Sequence, residues 1–432
     1  MATLDRKTPP PVRDFEFRPL PPQTIGHLPG ATLHIIDNGE LPANRVTIAW
    51  HYGVCHSISQ TGGGTAASLV PALMLEGTDR LNGQEIAEAF DFNGAMVRQR
   101  ATDRCSLIDM LSINDTTPAL LDIIGHVFTS ATLPQKAFEA LRAKGAQRRA
   151  VDLTRPVTLA MDAVSEMIMG PGHPYLRIAT PQDIMDTTPQ DVRLAYETGC
   201  HSAPVDIYYG GRMDAKIEKS LHKLASLIHE HRNSDNVCHA PIHHMKPSEP
   251  QERHIAMEGS LQTAVAAAIP AIDRSHPDYI PLRLTVMALG GYFGSRLMTN
   301  IREEKGLTYG ISAALHGTHE GAYTFISAQC AAGTAPTVLT EIKAEIAKLA
   351  STPMPADELH RLKSYAASQL MAILDTPMAI ADHYLNQAIV GTPPHYFESQ
   401  FRAIENLDAD TLMLMATRYL QPAEMRIATA GA

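Results

Sequence analysis

The second half of this chain repeats the first. TLPQKAFEALRAKGAQRRAVDLTRPVTLAMD, from Thr132, resembles PMPADELHRLKSYAASQLMAILDTPMAIADH, from Pro353, and Pro134 opposes Pro355 at the same offset as Pro156 opposes Pro377. Farther on, IMDTTPQDVRLAYETGCHSAPVDIYYGG resembles IENLDADTLMLMATRYLQPAEMRIATAGA, with Ile184 opposite Ile404 and Pro204 opposite Pro422, so the register nearly holds. Self-similarity over that span makes the chain a tandem of two related domains, within the two or three units that 432 residues lead one to expect.

Each copy shows one coarse order of elements. A strand region (Arg45 to Tyr52; Leu261 to Ile269) precedes a helix and alternating segments (Ala95 to Ile113; Tyr309 to Gln329), then several long helical patterns, then a closing strand (Val205 to Tyr209; Met425 to Ala428). Strands and helices grouped in runs imply an α+β fold: two tandem domains, each a mainly antiparallel sheet with helices packed on one face. The stretch EHRNSDNVCHAPIHHMKPSEPQERH is polar and poor in large apolar residues. It reads as a linker at 230–254 between domains at 1–229 and 255–432, long enough to permit hinge motion.

Charge and composition narrow the function classes. The 36 Lys and Arg against 46 Asp and Glu give a net charge of −10, which argues against nonspecific binding to nucleic acid or to an anionic membrane. No apolar run approaches the length of a membrane helix, and the N-terminus MATLDRKTPPPVRDFEFRPLPP does not read as a secretory signal. Five scattered cysteines, Cys55, Cys105, Cys200, Cys238 and Cys330, form no CxxC pair and fit reduced thiols. A cytoplasmic chain is the expectation.

The most informative short segment is GGYFGSRLMTNIREEKGLTYG, Gly290 to Gly310. Phe293, Leu297, Met298 and Ile301 fall near helical period, so the segment up to Glu304 reads as an amphipathic helix with Arg302 in its last turn. Gly306 then supplies a stop, and Leu307 to Ile311 opens a strand. Arg302 and Tyr309 are thereby set at a helix end and a strand start, from which a cation and a phenol could reach one cleft. On this window alone, a surface arginine and a strand aromatic account for the residues equally well.

The repeat, the R-x6-Y pair behind GGYFGSRL, and the loop GHPYLRIATPQDI after Gly172 together resemble the pitrilysin/insulinase family of zinc peptidases, the inverzincins. The likeness is nearest to the small two-subunit bacterial members and the mitochondrial processing peptidase, and it runs from about His34 to the C-terminus. It implies a chamber that takes unfolded peptides, with zinc on an H-x-x-E-H helix of one side and the Arg/Tyr pair on the other.

This sequence departs from that pattern where the metal belongs. The tail of the family's helix is recognisable as Leu73-Met74-Leu75-Glu76-Gly77-Thr78, but the two histidine positions hold Ser68 and Ala72 and the glutamate position holds Pro71. Zinc needs imidazole, thiolate or carboxylate donors, and its water needs a general base; these three residues supply neither. Ser68 could cap the helix and leave Pro71 in its first turn, where a missing N–H costs little. The distal glutamate position falls in Gln147-Arg148-Arg149, and no H-x-x-E-H or H-E-x-x-H occurs in the chain.

Other constellations are weaker. His51 and His56 flank Cys55 without a fixed ligand geometry, and Cys238, His239, His243 and His244 sit in the linker, where solvated histidines are the plainer account. Gly62-Gly63-Gly64 lacks the Lys-Ser/Thr of a phosphate loop.

The resemblance therefore implies a non-zinc subunit of a heterodimeric metalloendopeptidase, with no cofactor of its own and zinc in a homologous H-x-x-E-H partner. Arg302 would hold substrate and Tyr309 would donate to the oxyanion. The strand at Leu261, Gln262, Thr263 and Ala264 is expected to be an open edge to which a peptide could be added. Two alternatives stay open: a catalytically inert peptide-binding or scaffold protein of the same fold, and a peptidase that binds zinc through other ligands.

Overall fold

The computed structural model describes residues 17–37, 39–57, 64–176, 179–232, 242–393 and 395–432. Two sheets organise them. The first contains β1 (Thr24–Leu28), β2 (Ala31–Asp37), β3 (Ala43–Trp50), β4 (Met96–Ala101), β5 (Ser106–Ile113) and β6 (Val205–Gly211), in the order β1-β2-β6-β3-β5-β4. The second contains β7 (Glu252–Ala256), β8 (Gln262–Ala271), β9 (Thr308–Gly317), β10 (Ala322–Ala331) and β11 (Arg426–Gly431), in the order β7-β11-β8-β10-β9. Each has one parallel pair, β2 with β6 and β7 with β11, and is otherwise antiparallel. Remove β1 and the two orders superpose strand for strand, as the repeated sequence requires.

One face of each sheet meets helices of its own half. In the first, Val46, Ile48 and Trp50 pack with Leu73, Leu120, Phe128 and Leu221; in the second, Val265, Ala267 and Ile269 pack with Leu282, Leu289, Ile342 and Phe397. These strands bury alternate residues because a period of two sends neighbours to opposite faces.

The other face is covered by a helix of the opposite half. The Pro156–Met169 helix lays Ala160, Ala163, Val164, Met167 and Ile168 on Ala264, Ala266, Ala268, Ala428 and Ala430 of β8 and β11. Reciprocally, the Pro377–Val390 helix sets Ile380 and Ala381 on Ile36, and Leu385 on Ala49, Leu107 and Tyr208. These helices begin at Pro156 and Pro377, the residues that mark the repeat; proline suits a first helical position because its missing N–H is unneeded there. Small residues on the receiving strands allow close approach. A Cβ on Gly210 of β6 would lie 2.5 Å from the carbonyl oxygen of Pro377.

Further ties cross between the halves. Arg45 of β3 is bound to Asp109 of β5 and to Asp382 of the Pro377–Val390 helix. Phe17 lies against Phe401 at 4.4 Å between ring centroids, and the Tyr384 hydroxyl donates to the Pro21 carbonyl at 2.8 Å. Within the expected linker, Lys246 and Ser248 donate their amides to Met169 and Met167 at 2.9 and 2.8 Å, and Glu252 to His254 already belong to β7. Hinge motion between the halves would have to strip both exchanged helices from their sheets. Burying a side chain such as Ile380 is worth about 1.5–3 kcal/mol, and each exchanged helix buries several.

Candidate functional site

The helix Tyr279–Gly290 ends before the expected helix is complete, and the chain re-enters a helical path only near Leu297. From Met298 to Glu304 it winds as a π-helix, with the Lys305 amide bonded to the Asn300 carbonyl, five residues back, at 3.1 Å. This corrects the regular amphipathic helix read from the apolar spacing. Side-chain tethers explain the wider turn. The Asn300 amide nitrogen donates to Glu345 at 2.9 Å and to Glu341 at 3.1 Å, Lys305 also binds Glu341, and Arg296 grips Glu358 through two nitrogens at 2.8 and 3.2 Å. Hydrogen bonds from Lys305 and Asn300 hold the Glu341 carboxyl below its ordinary range.

Gly306 stops the turn as expected. Its φ of +61° is left-handed, and the Leu307 amide closes back on the Ile301 carbonyl at 2.9 Å. β9 then begins with an irregularity: Thr308 pairs with Cys330 and Ile311 with Ala328, so Tyr309 and Gly310 together face Gln329. Such a bulge re-aims a side chain. Tyr309 stands 92% exposed.

Arg302 and Tyr309 line one groove of about 730 Å³, together with Leu261, Gln262, Glu303 and Gln329. Tyr309 also walls a second groove of about 550 Å³, lined by Val157, Ser312 and Ser327. The Arg302 guanidinium lies 4.5 Å over the Phe293 ring, and among the described residues no carboxylate pairs with it. An aromatic face holds a cation while leaving its N–H donors free for another acceptor. Sequence reading missed Phe293 as a support and Arg296 and Asn300 as positioning groups. Arg296 is nearly buried and needs the Glu358 partner it has, but its place within GGYFGSRL carries no signal of that burial.

The expected edge strand is not an edge. β8 lies between β11 and β10, with Ala264 opposite Ala430 on one side and Thr263 opposite Cys330 on the other. Thr263 and Ala264 are each 1% exposed, so neither can meet a peptide, whereas Leu261 and Gln262 reach the groove. The apolar run of β8 resembles a lightly covered strand because alanines form its second face. The open edge beside the groove is β9.

The residues that the resemblance sets at the metal positions carry no zinc donor. Ser68, Pro71 and Ala72 lie on the Thr65–Met74 helix, with Ser68 exposed. The helix starts after Gly64, so Ser68 is no cap; its hydroxyl donates back to the Gly64 carbonyl at 3.2 Å and Pro71 is inside the helix. Arg149 is tied to Asp162 at 2.6 Å and to the Ala179 carbonyl at 2.8 Å. Among the described residues, no three His, Cys, Asp or Glu side chains converge as a metal cage.

The remaining candidates have structural partners. His51 binds Asp206 at 2.7 Å and His34 approaches the same carboxylate at 3.3 Å; burial alone would raise the Asp206 pKa, but these bonds bring it down to about 2. His56 accepts the Gly53 amide at 3.0 Å, and burial pushes its pKa down to about 4. The His243 carbonyl bonds His173 at 2.6 Å. Cys238, His239, Gly62 and Gly63 lie outside the described residues. No described helix is long and apolar enough to cross a membrane.

Residues 188–365 match the family profile described as the peptidase M16 inactive domain. A search of curated proteins finds no match. Among solved structures, the chain is similar to a peptidase M16 inactive domain from Pseudomonas fluorescens, with TM-score 0.85 and 21% identity over 95% of this chain and 98% of that one. It is also similar to a protease from Helicobacter pylori, with TM-score 0.85 and 15% identity over 96% and 100%. A chain of complex III2 from Candida albicans, Inz-5 bound, aligns with TM-score 0.72 and 13% identity over 94% and 95%.

Proposed function

Since the chain belongs with the M16 peptidases, whose inactive domain it carries over residues 188–365, we propose that it is the non-zinc subunit of a heterodimeric metalloendopeptidase. Its partner is a homologous chain with H-x-x-E-H, which brings the zinc; this chain brings half of a peptide chamber and the Arg302/Tyr309 pair. The observation that carries this reading is a forked cation without a counter-ion beside a fully presented phenol on one groove. Among the described residues neither group has a side-chain hydrogen-bond or ion-pair partner, and Arg302 rests on the Phe293 ring.

The chemistry follows from the donors. The Tyr309 hydroxyl donates to the oxyanion that develops on a scissile carbonyl, and Arg302 holds a neighbouring peptide carbonyl through its fork. Both act on peptide presented by the partner. The four described cysteines, Cys55, Cys105, Cys200 and Cys330, are unpaired and buried, which supports a cytoplasmic setting.

A second reading, an inert peptide-binding or scaffold protein, draws on the likeness to a chain of complex III2. Isolation of the tagged chain from its native cells separates the two. A companion of similar size carrying H-x-x-E-H, with peptide cleavage only by the pair, supports the subunit; a companion without metal ligands, or none, supports the scaffold.

A further inference from the structure

The two halves differ at one face. In the first, the Ala215–Glu230 helix lies beside the Thr117–Thr129 helix, and its Leu221 and Leu224 share a cluster with Leu33, Leu121, Ile207 and Tyr209. Gly125 permits the approach, because a Cβ there would stand 2.9 Å from the Leu227 side chain. In the second half the Ala335–Ser351 helix answers the Thr117–Thr129 helix, with Pro336 opposite Pro118, and β7 answers β2. Among the described residues no helix takes the place of Ala215–Glu230 there. A groove of about 500 Å³ lies instead between β7, β11 and the Ala335–Ser351 helix.

The floor of this groove stays apolar, with Leu339 in the place of Leu121 and Ile427 in that of Ile207. Its rim does not. Glu252 pairs with Ile427 and His254 with Thr429, where the first half pairs Leu33 with Ile207 and Ile35 with Tyr209. Lys343 replaces Gly125, which denies a helix the same close approach. An apolar helix would bury these polar groups unpaired, whereas a small molecule with an apolar body and one polar head suits floor and rim together.

Charge on the rim selects the head. Arg253 and Lys343 line the groove with one acidic side chain, Glu252. Arg253 is tied to Glu166 of the Pro156–Met169 helix at 3.0 Å, and Lys343 to Glu252 at 3.0 Å. The side chains of the second pair are 40% and 63% exposed, so water screens their attraction and a ligand carboxylate can replace Glu252. His254 is held through Nδ1 by the Thr429 hydroxyl at 2.9 Å, and its Nε2 has no partner among the described residues. Ala335 and Pro336, in the first turn of their helix, add the positive end of its dipole.

We propose that this groove binds a small amphipathic carboxylate, its hydrocarbon body on Leu339 and Ile427 and its head exchanged for Glu252 at Lys343, with His254 as a second donor. The groove shares no lining residue with the two at Tyr309, so the site is independent of the zinc-subunit reading.

The test uses the purified full chain and probes of one chain length: octanoate, octanol and octylamine. Calorimetry should show octanoate binding one to one, about tenfold or more tighter than either other and less so at high salt. Glu252→Gln removes the carboxylate that competes for Lys343, so it should tighten octanoate severalfold and leave octanol unchanged. Lys343→Gln should bring octanoate to the level of octanol, and Leu339→Trp should fill the groove and abolish binding of both. No saturable binding of octanoate, equal affinity for all probes, or octanoate binding that survives Leu339→Trp would overturn the proposal, as would an unchanged affinity in Glu252→Gln. Circular dichroism of each variant shows that lost binding is not lost fold.

Discussion

Arg104, in the turn between β4 and β5, donates from Nη1 to Oε1 of Glu320, in the turn between β9 and β10, at 2.8 Å. The two turns come from opposite halves, and Glu320 is 5% exposed. The Tyr175 hydroxyl also donates to Glu320, and its own ionisation is pushed upward, first by burial and then by that carboxylate. The contact joins the hairpin tips of both sheets to the Gly172 loop. Arg104→Leu should therefore cost about 3–5 kcal/mol, because it leaves a buried carboxylate without its charge partner; urea unfolding of the two chains measures this.

The exchanged helices, each packed on the sheet of the other half, should make the halves unfold as one unit. Ile380→Ala, at a fully buried position on Ile36 of the other half, should cost about 2–5 kcal/mol. Calorimetry should still show one transition, shifted down. Two transitions, with only one displaced, would mean that the halves unfold separately.

In the reconstituted peptidase, Tyr309→Phe should lower kcat by tenfold or more, toward the 10²–10³ that a lost oxyanion donor typically costs (about, in order of magnitude). KM should change little, and folding should not change, because the hydroxyl is in solvent. An unaltered kcat would remove Tyr309 from the reaction.

Phe293→Ala should act through Arg302, whose guanidinium it supports. The loss of a cation–π contact of about 0.5–1 kcal/mol leaves Arg302 charged but less ordered. KM should rise severalfold with kcat nearly unchanged, and Phe293→Tyr should restore it.

Acid should weaken the fold in a defined window. The folded pKa of His56 is about 4, below its ordinary 6.5, chiefly through burial; His201, His316 and His383 are displaced the same way for the same reason. Between those values the unfolded chain binds more protons, so stability falls as pH drops from about 6.5 to about 4. Asp206, held near 2 in the folded chain, adds a further loss at lower pH as its bonds to His34 and His51 break. His56→Gln should flatten the upper part of the Tm–pH curve.

The amino-acid sequence by itself determined the repeat, the mainly antiparallel α+β fold, the lack of zinc donors at Ser68, Pro71 and Ala72, and the glycine stop between Arg302 and Tyr309. Those features are local, or are copied within the chain: periodicity reports which face is buried, Gly306 reports a left-handed turn, and Ser68, Pro71 and Ala72 report missing donors. Tertiary structure decided what each buried face meets. Alternating alanines in β8 and β11 look alike whether they face solvent, a helix of their own half or a helix of the other; only long-range packing selects the Pro156–Met169 helix. The same reason makes β8 interior and β9 the edge, since strand order is not written in any one strand. The π-helical turn and its tethers to Glu341, Glu345 and Glu358 likewise lie beyond an apolar period, because partners forty to sixty residues away (roughly, along the chain) override the local helical preference. The repeat announced two related folds; their side-chain contacts made them interlock.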